Sequence, residues 1–577
     1  MNMDTIVKKA RTWLNDTIDK DTQQKVKHLI AHNQEELTEC FYKNLEFGTG
    51  GLRGIMGVGS NRMNKYTVGM ATQGLANYLN KVFPTGTKLK AAIAYDTRNN
   101  SRFFAQITAE VLSANNVEVY LFDDIRPTPL LSYAVRKLQC HTGIVITASH
   151  NPKEYNGYKV YWEDGGQLVA PHDKNIMGEV NAIENFADVN FNKKQHLIHS
   201  IGDELDKAYI SQVKQLSFAP DIIAKHKDLK IVFTPIHGTA VHLVPACLKA
   251  YGFNNVHSVE AQNVADGNFP TVEYPNPEEA KALQMALEEA EKIDATLVMG
   301  TDPDADRVGI AVKNTDGKLV LLNGNQTASI LIYYLLNKWH EEKKLSGKEF
   351  TVKTIVTTEL LTEIARHYNV EQYDVLTGFK FIAEIIKKNE GHKKFIAGGE
   401  ESYGYLVGDF VRDKDAVISC CIIAEAAAWA ASQNMTLYEL LLNIYLKFGF
   451  YKEHLISITK KGKSGSEEIA LMMKNYRSHP PKHINKAEVV RIKDYLSSTD
   501  SDTLTGTSAV IELPKSNVLQ FFLNDGSKIT IRPSGTEPKI KFYFSVHQKN
   551  EKIENYDTVN AALDKKINNI IQDMGLK

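Results

Sequence analysis

The feature that most constrains this chain is an alternation repeated along most of its length. Short apolar runs, Lys90–Tyr95, Gly143–Thr147, Leu229–Thr234, Ala295–Gly300, Thr354–Thr357 and Lys394–Ala397, are interleaved with helical patterns. Each run ends in a loop rich in Gly, Asp, Ser, Thr or Pro. A continuous apolar strand between helices has no solvent face, so it belongs in a sheet covered on both sides. The pattern predicts α/β layers, in which ligands gather beyond the carboxyl ends of the strands. The chemically unusual loops of this sequence fall there.

At 577 residues the chain exceeds what one hydrophobic core sustains. Cuts near 205, 325 and 450 give four expected domains, residues 1–205, 206–325, 326–450 and 451–577. The first 45 or so residues read as helix, with Ile6, Ala10, Leu14, Val26, Leu29 and Ile30 at helical spacing. The last segment differs in texture. An alternating stretch, Glu453–Thr459, leads to turns at Lys460–Ser466 and His479-Pro480-Pro481, then to hairpin-like strands at Ala509–Leu513, Val518–Leu523 and Ser527–Ile531. That clustering predicts a smaller α+β domain.

Composition removes several classes of function. The formal net charge is −1, so no global basic field draws nucleic acid or an anionic membrane. Five cysteines, with no CxxC pair, argue against a zinc ribbon or a disulfide framework and for reduced thiols in the cytoplasm. The start has no apolar h-region. The most apolar stretch, Val417–Ala431, is interrupted by Glu425 and is too short to span a bilayer, so it reads as a buried helix.

Four loops carry candidate chemistry. Thr147-Ala148-Ser149-His150-Asn151-Pro152 follows a strand. It lacks the glycines of a hydrolase elbow, and a histidine adjacent in sequence is not expected to aim at its neighbour's hydroxyl. Lys159 follows shortly after. The second loop, Asp302-Pro303-Asp304-Ala305-Asp306-Arg307, sets three carboxylates at i, i+2 and i+4, which share a face in extended geometry. At about 6 Å apart such charges repel by roughly 0.7 kcal/mol per pair even in water. A hard divalent ion is the natural counter-charge. The spacing excludes an EF-hand, and so short a loop suits magnesium completed by a phosphate oxygen.

The third loop, Gly399-Glu400-Glu401-Ser402, places a glutamate and Ser402 where they could share a face toward sugar hydroxyls; Lys414 lies a little further on between Asp413 and Asp415. The fourth, Arg532-Pro533-Ser534-Gly535-Thr536, joins an arginine fork, two hydroxyls and a glycine amide, a set suited to a phosphate dianion. Phe47–Gly54, with Arg53, and Thr377-Gly378 are further loops able to approach a ligand closely. No Walker A loop or dinucleotide fingerprint is present, so neither ATP nor NAD is indicated.

Together these loops resemble the α-D-phosphohexomutase superfamily, which includes phosphoglucomutase and phosphomannomutase. TASHNP at 147–152, DPDADR at 302–307, GEES at 399–402 and RPSGTEP at 532–538 occur in family order, supported by Asp96-Thr97-Arg98 and Pro127-Thr128-Pro129. The resemblance implies three related α/β domains with mixed sheets and a smaller C-terminal α+β domain around a central cleft. By motif match, Ser149 would be the phosphoserine and would hold one Mg2+ with Asp302, Asp304 and Asp306. Arg53, His150 and Arg307 would surround the transferring phosphoryl, and Lys159 and Lys414 are candidate acid/base residues. Thr377, Gly378, Glu400 and Ser402 would contact the sugar; Arg532, Ser534, Gly535 and Thr536 would grip the other phosphate.

The expected reaction interconverts a hexose 1-phosphate and 6-phosphate, glucose first, through a sugar bisphosphate that also serves as activator. Mannose or pentose phosphates are the alternatives within the class, with a phosphatase or a non-catalytic binder behind them. A base lysine should have its pKa lowered by burial or a neighbouring cation. The partner is a small sugar phosphate, the chain a monomer or weak dimer.

Overall fold

The computed structural model describes residues 2–48, 50–460, 462–534, 539–549, 552 and 556–576. The chain divides into two compact units, each built from several segments. Unit 1 comprises Met1–Asn323, Phe379–Ala397 and Ser402–Asn434; unit 2 comprises Gly324–Gly378, Gly398–Glu401 and Met435–Lys577.

Unit 1 holds two mixed sheets. The first is built from β1 (Gly51–Ile55), β2 (Lys90–Tyr95), β3 (Glu118–Phe122), β4 (Thr142–Ile146), β5 (Tyr155–Trp162) and β6 (Ile198–Ile201), in the order β1-β5-β4-β2-β3-β6. Strands β4, β2, β3 and β6 are parallel, and β5 runs antiparallel to both β4 and β1. Ile93, Ile144 and Val160 pack with Val68, Leu75 and Leu79 of helix Lys65–Val82 in the core. The second sheet has β7 (Ile231–Thr234), β8 (Val256–Ser258), β9 (Leu297–Thr301), β10 (Val308–Lys313) and β11 (Leu319–Leu322), ordered β11-β10-β9-β7-β8. Its parallel trio β8-β7-β9 delivers the acidic loop from the end of β9.

The expected N-terminal helical region is three helices, Met3–Arg11, Lys20–His32 and Gln34–Phe41, capped by the side chains of Asn2, Asp19 and Asn33. They bury Ile6, Ala10, Val26, Leu37 and Phe41 around Trp13 and Tyr66. The apolar stretch near 417–431 is helix Ala416–Ala431, buried along Ala416–Ala430. Its one acid is satisfied: Glu425 accepts the Phe218 N–H at 2.9 Å and the Ser217 hydroxyl. No single helix among the described residues is long and apolar enough to cross a membrane.

Unit 2 contains a parallel pair, Glu349–Thr354 with Glu371–Val375. The run expected at Thr354–Thr357 therefore ends a strand rather than forming one. The Ile355 carbonyl leaves the ladder's strand and accepts hydrogen bonds from Gln520 Nε2 at 2.9 Å and Lys528 Nζ at 3.0 Å. The C-terminal region is β-rich. Antiparallel strands Phe450–Thr459, Lys539–Gln548, Lys528–Pro533, Leu519–Leu523 and Ala487–Asp494 lie side by side in that order. Helix Tyr556–Asp573 presents Val559, Leu563, Ile567 and Ile570 to the interior at helical spacing. The strand expected at Ala509–Leu513 is reduced to the short edge Ser508–Val510, whose residues are all exposed.

Candidate active site

Two loops of unit 1 meet at the ends of β4 and β9. Ser149 lies three residues past β4, in a left-handed backbone conformation with φ 51°, and is only 3% exposed. Thr147 Oγ1 accepts its N–H at 2.8 Å. The turn is held from behind by Arg98, a fully enclosed guanidinium. It donates to the carbonyls of Ser149 at 2.5 Å, Pro152 at 2.8 Å and Tyr155 at 3.1 Å, and to that of Asn151. Asp96, 3.5 Å from Arg98 Nε, balances the charge. Such a clamp explains how an uncommon serine conformation persists. Its motif stood out in the sequence, but its grip on the serine turn is visible only in three dimensions.

Ser149 Oγ donates to Asp302 Oδ2 at 2.6 Å and lies 3.1 Å from His150 Nδ1. The second contact corrects the sequence reading. The left-handed turn brings the adjacent imidazole round to its neighbour's hydroxyl, which an ordinary extended step would not do. Burial first, then the Arg307 and Arg53 charges, hold the His150 pKa well below the usual histidine value, so the ring is neutral. Arg53, on β1, donates to Asn151 Oδ1 at 3.2 Å. Arg307 pairs with Glu278.

The acidic loop is a turn rather than an extended segment, with Ala305 left-handed at φ 55°. The three aspartates converge through that turn and are all buried. Asp304 and Asp306 each have one oxygen engaged by the protein, whereas both oxygens of Asp302 are engaged, Oδ2 by the Ser149 hydroxyl. Asp302 Oδ1 accepts the N–H groups of Asp306 (3.1 Å) and Arg307 (3.0 Å). Asp304 Oδ2 accepts from Thr128 Oγ1 (3.0 Å) and Lys159 Nζ (2.8 Å). Asp306 Oδ2 lies 3.4 Å from both Lys159 and Lys414.

Asp304 Oδ1 and Asp306 Oδ1 are buried with no hydrogen-bond partner, and one oxygen from each of the three residues lies within 4.8 Å of the others. Orphaned oxygens in a close group of buried carboxylates are costly without a cation, and an all-oxygen set is what Mg2+ takes. The residues present fit the metal. Burial and the charges of Asp304 and Asp306 push the Asp302 carboxyl up. For Asp304 burial acts the same way, but the Lys159 ammonium overrides it and keeps the carboxyl low.

Lys159 departs from the expected lowered pKa. Burial lowers it, but Asp304 and Asp306 more than compensate and the net shift is upward. Lys414 lies 3.2 Å from Asp413, which also accepts the Tyr161 hydroxyl at 2.6 Å. A Cβ at Gly404 would sit 2.1 Å from Lys414 Cδ, so a glycine is needed for the lysine to pass.

Unit 2 carries the remaining candidates. Glu400 Oε1 accepts the Gly378 N–H at 3.0 Å, and the buried Thr377 hydroxyl has no partner. Glu401 faces away from Glu400's contact, toward the Thr354 (3.2 Å) and Thr357 (3.3 Å) hydroxyls. Burial first, then Glu400, raise its pKa to about 7. The Arg532 charge acts on the Tyr543 hydroxyl, and the Ser534 N–H donates to Lys539 O at 2.7 Å. Gly535 and Thr536 lie outside the described residues. Ser402 begins a segment of unit 1 and is half-buried.

A buried serine against a cation-ready acidic loop, with two lysines beside it, defines a phosphoryl-transfer enzyme whose chemistry is charge neutralisation. Comparison with known proteins then fixes the family. Models described as phosphoglucomutase/phosphomannomutase alpha/beta/alpha domains I, II and III match residues 44–187, 207–317 and 323–448. A phosphoglucomutase of Staphylococcus aureus (strain MRSA252) is 39% identical over 526 residues, covering 90% of this chain and 93% of that protein. One from Staphylococcus epidermidis is 38% identical over 518 residues, covering 89% and 92%.

Among solved structures, Paramecium parafusin, a phosphoglucomutase, aligns with a TM-score of 0.67 at 17% identity, over 92% of this chain and 96% of its own. A phosphoglucomutase/phosphomannomutase family protein of Burkholderia thailandensis aligns with a TM-score of 0.63 at 17% identity, over 91% and 97%. The chain belongs to the phosphoglucomutase/phosphomannomutase family, within the α-D-phosphohexomutase superfamily, and is a phosphohexose mutase.

Proposed function

We propose that this mutase interconverts glucose 1-phosphate and glucose 6-phosphate through a phosphorylated Ser149 and a glucose bisphosphate. The observation that carries the reading is the 2.6 Å approach of Ser149 Oγ to Asp302 within the cluster of orphaned carboxylate oxygens. The sugar named for the relatives that are 38–39% identical favours glucose over mannose. Asp302, Asp304, Asp306 and the Ser149 oxygen would hold one Mg2+ per chain, which when bound supplies charge neutralisation for the transferring phosphoryl group.

In the first half-reaction the bond between phosphorus and Ser149 Oγ breaks and a bond to the free sugar hydroxyl forms. The hydroxyl proton leaves to a lysine, and a proton returns to Ser149 Oγ. Lys159 and Lys414 are the residues for these transfers; Lys159, kept protonated by Asp304 and Asp306, suits donation. The bisphosphate then turns over and its other phosphoryl group restores phospho-Ser149. Arg53, His150 and Arg307 orient the moving group. Glu400, Ser402, Thr377 and Gly378 bind the sugar, and Arg532, Ser534, Gly535 and Thr536 the stationary phosphate. The buried, unpartnered Thr377 hydroxyl supports a ligand there. A monomer or weak dimer working in the cytoplasm fits the near-neutral net charge and reduced, buried cysteines.

The test pairs intact mass with product analysis. Incubation with glucose 1,6-bisphosphate should add one phosphoryl mass to the wild type and none to Ser149→Ala, and the variant should lose glucose 6-phosphate formation by at least about 10⁴-fold. Full activity in Ser149→Ala, or release of inorganic phosphate in place of an isomerised product, would overturn the proposal.

A further inference from the structure

The segment Pro127-Thr128-Pro129 has no part in the chemistry just described, yet it touches the acidic loop twice. Thr128 opens helix Thr128–Lys137 and is fully buried. Its backbone N–H, one of the donors a helix start leaves free, donates to the Asp304 carbonyl at 2.9 Å. Its hydroxyl donates to Asp304 Oδ2 at 3.0 Å. The first bond fixes where the loop backbone runs; the second fixes how the carboxylate is turned. The flanking prolines restrict the backbone on either side, so both donors are set before any ligand arrives.

Asp304 Oδ2 is then engaged by two donors, the Thr128 hydroxyl and the Lys159 ammonium, while Oδ1 is left buried and unpartnered in a residue that has an oxygen within 4.8 Å of one from Asp302 and one from Asp306. We infer that Thr128 is a positioning residue for the metal loop, selecting Oδ1 as the oxygen Asp304 presents to the cation. The inference rests on the metal reading above. Thr239 makes a useful contrast. Its N–H (2.8 Å) and hydroxyl (2.9 Å) both go to the Pro303 carbonyl, so it braces the same loop without touching a carboxylate.

Partners that orient a metal ligand change metal affinity by about 10–100-fold when removed. The experiment titrates MgCl2 alone into full-length, dephosphorylated protein by calorimetry. Thr128→Val should raise the Mg2+ dissociation constant about 10-fold or more, and Thr128→Ser, which keeps the hydroxyl, should stay within about threefold of wild type. Turnover at saturating Mg2+ should change far less than affinity. Thr239→Val should leave affinity within about threefold. If near-UV circular dichroism shows that valine disturbs the fold, Thr128→Ala carries the same expectation, since it removes the hydroxyl together with the γ-methyl and Thr128→Ser keeps the hydroxyl without that methyl. Wild-type affinity in the Thr128 variants would overturn the role of Thr128 alone. Equal weakening by Thr239→Val would replace carboxylate orientation with general loop rigidity. No Mg2+ binding by the wild type would remove the metal reading and this inference with it.

Discussion

Asp302, Asp304 and Asp306 could be picked out of the sequence because three carboxylates two residues apart demand a counter-charge. What the sequence could not show is the division of labour within each one. In Asp304 and Asp306 one oxygen is engaged by a protein donor and the other left unpartnered, in Asp302 both are engaged, and the donors come from as far away as Thr128, Ser149 and Lys159. The direction of the Lys159 shift was illegible for the same reason: burial and charge oppose each other, and only distances of 2.8 and 3.4 Å to two aspartates decide the sign. Asp415, beside Lys414, poses a similar problem with a clear outcome. Its fully buried carboxyl is raised to about 7, burial outweighing the Tyr209 hydroxyl at 2.5 Å and the Ile418 N–H at 2.9 Å. An unfolded aspartate titrates near 3.9, so between about pH 4 and 7 the folded protein keeps a proton that the unfolded chain has released. Stability contributed by this group is complete below pH 4, falls as pH rises through 7, and is level above. Asp415→Asn removes the titration while retaining a helix cap. Going from pH 5 to pH 8, the wild type should lose about 2–3 kcal/mol relative to the variant in urea-unfolding free energy; parallel profiles would refute the assignment.

At the scale of elements, strands that end in chemistry were the most legible, because an apolar run followed by Ser or Asp advertises a covered sheet. Boundaries shifted where tertiary polar contacts took over from the ladder. Ile355 shows why: its carbonyl is claimed by Gln520 and Lys528 from the C-terminal sheet, so the strand stops at Thr354. The same neighbourhood holds an ionic cluster invisible to any local pattern. Lys353, with no side-chain exposure, pairs with Asp374 at 3.0 Å and Glu359 at 3.2 Å, and Glu359 also pairs with Lys528. Removing one member of a buried cluster strands the others. Glu359→Gln should therefore destabilise unit 2 by about 2 kcal/mol, a value reduced from the fully buried range because the Glu359 side chain is 32% exposed. A lower urea midpoint with an unchanged slope would bear this out; an unchanged midpoint would show that solvent replaces the pair at no cost.

Across the whole molecule, the order of α/β patterns was readable from the sequence, but their compact grouping was not, because it depends on returns of the chain separated by hundreds of residues. Unit 1 ends its first segment at Asn323, then takes back Phe379–Ala397 and Ser402–Asn434. The last of these includes helix Ala416–Ala431, buried on all sides, and its Glu425 anchors Ser217 and Phe218. Helix Ala240–Tyr251, with Leu243, Val244, Cys247 and Leu248 buried, packs against it. A fragment of residues 1–323 contains two complete family domains, 44–187 and 207–317. On sequence matches alone it should fold. On the contacts it should not reach a native state, because it exposes the apolar face that helix Ala416–Ala431 covers and strips the acidic loop of Lys414. Exposed apolar surface without fixed packing binds ANS and loses near-UV circular dichroism while keeping far-UV signal. The fragment should show all three behaviours, and a chain extended to Asn434 should bind less ANS per molecule. A fragment 1–323 with native near-UV signal and sharp two-state unfolding would mean that the returning helix is an ornament of this fold instead of part of its core.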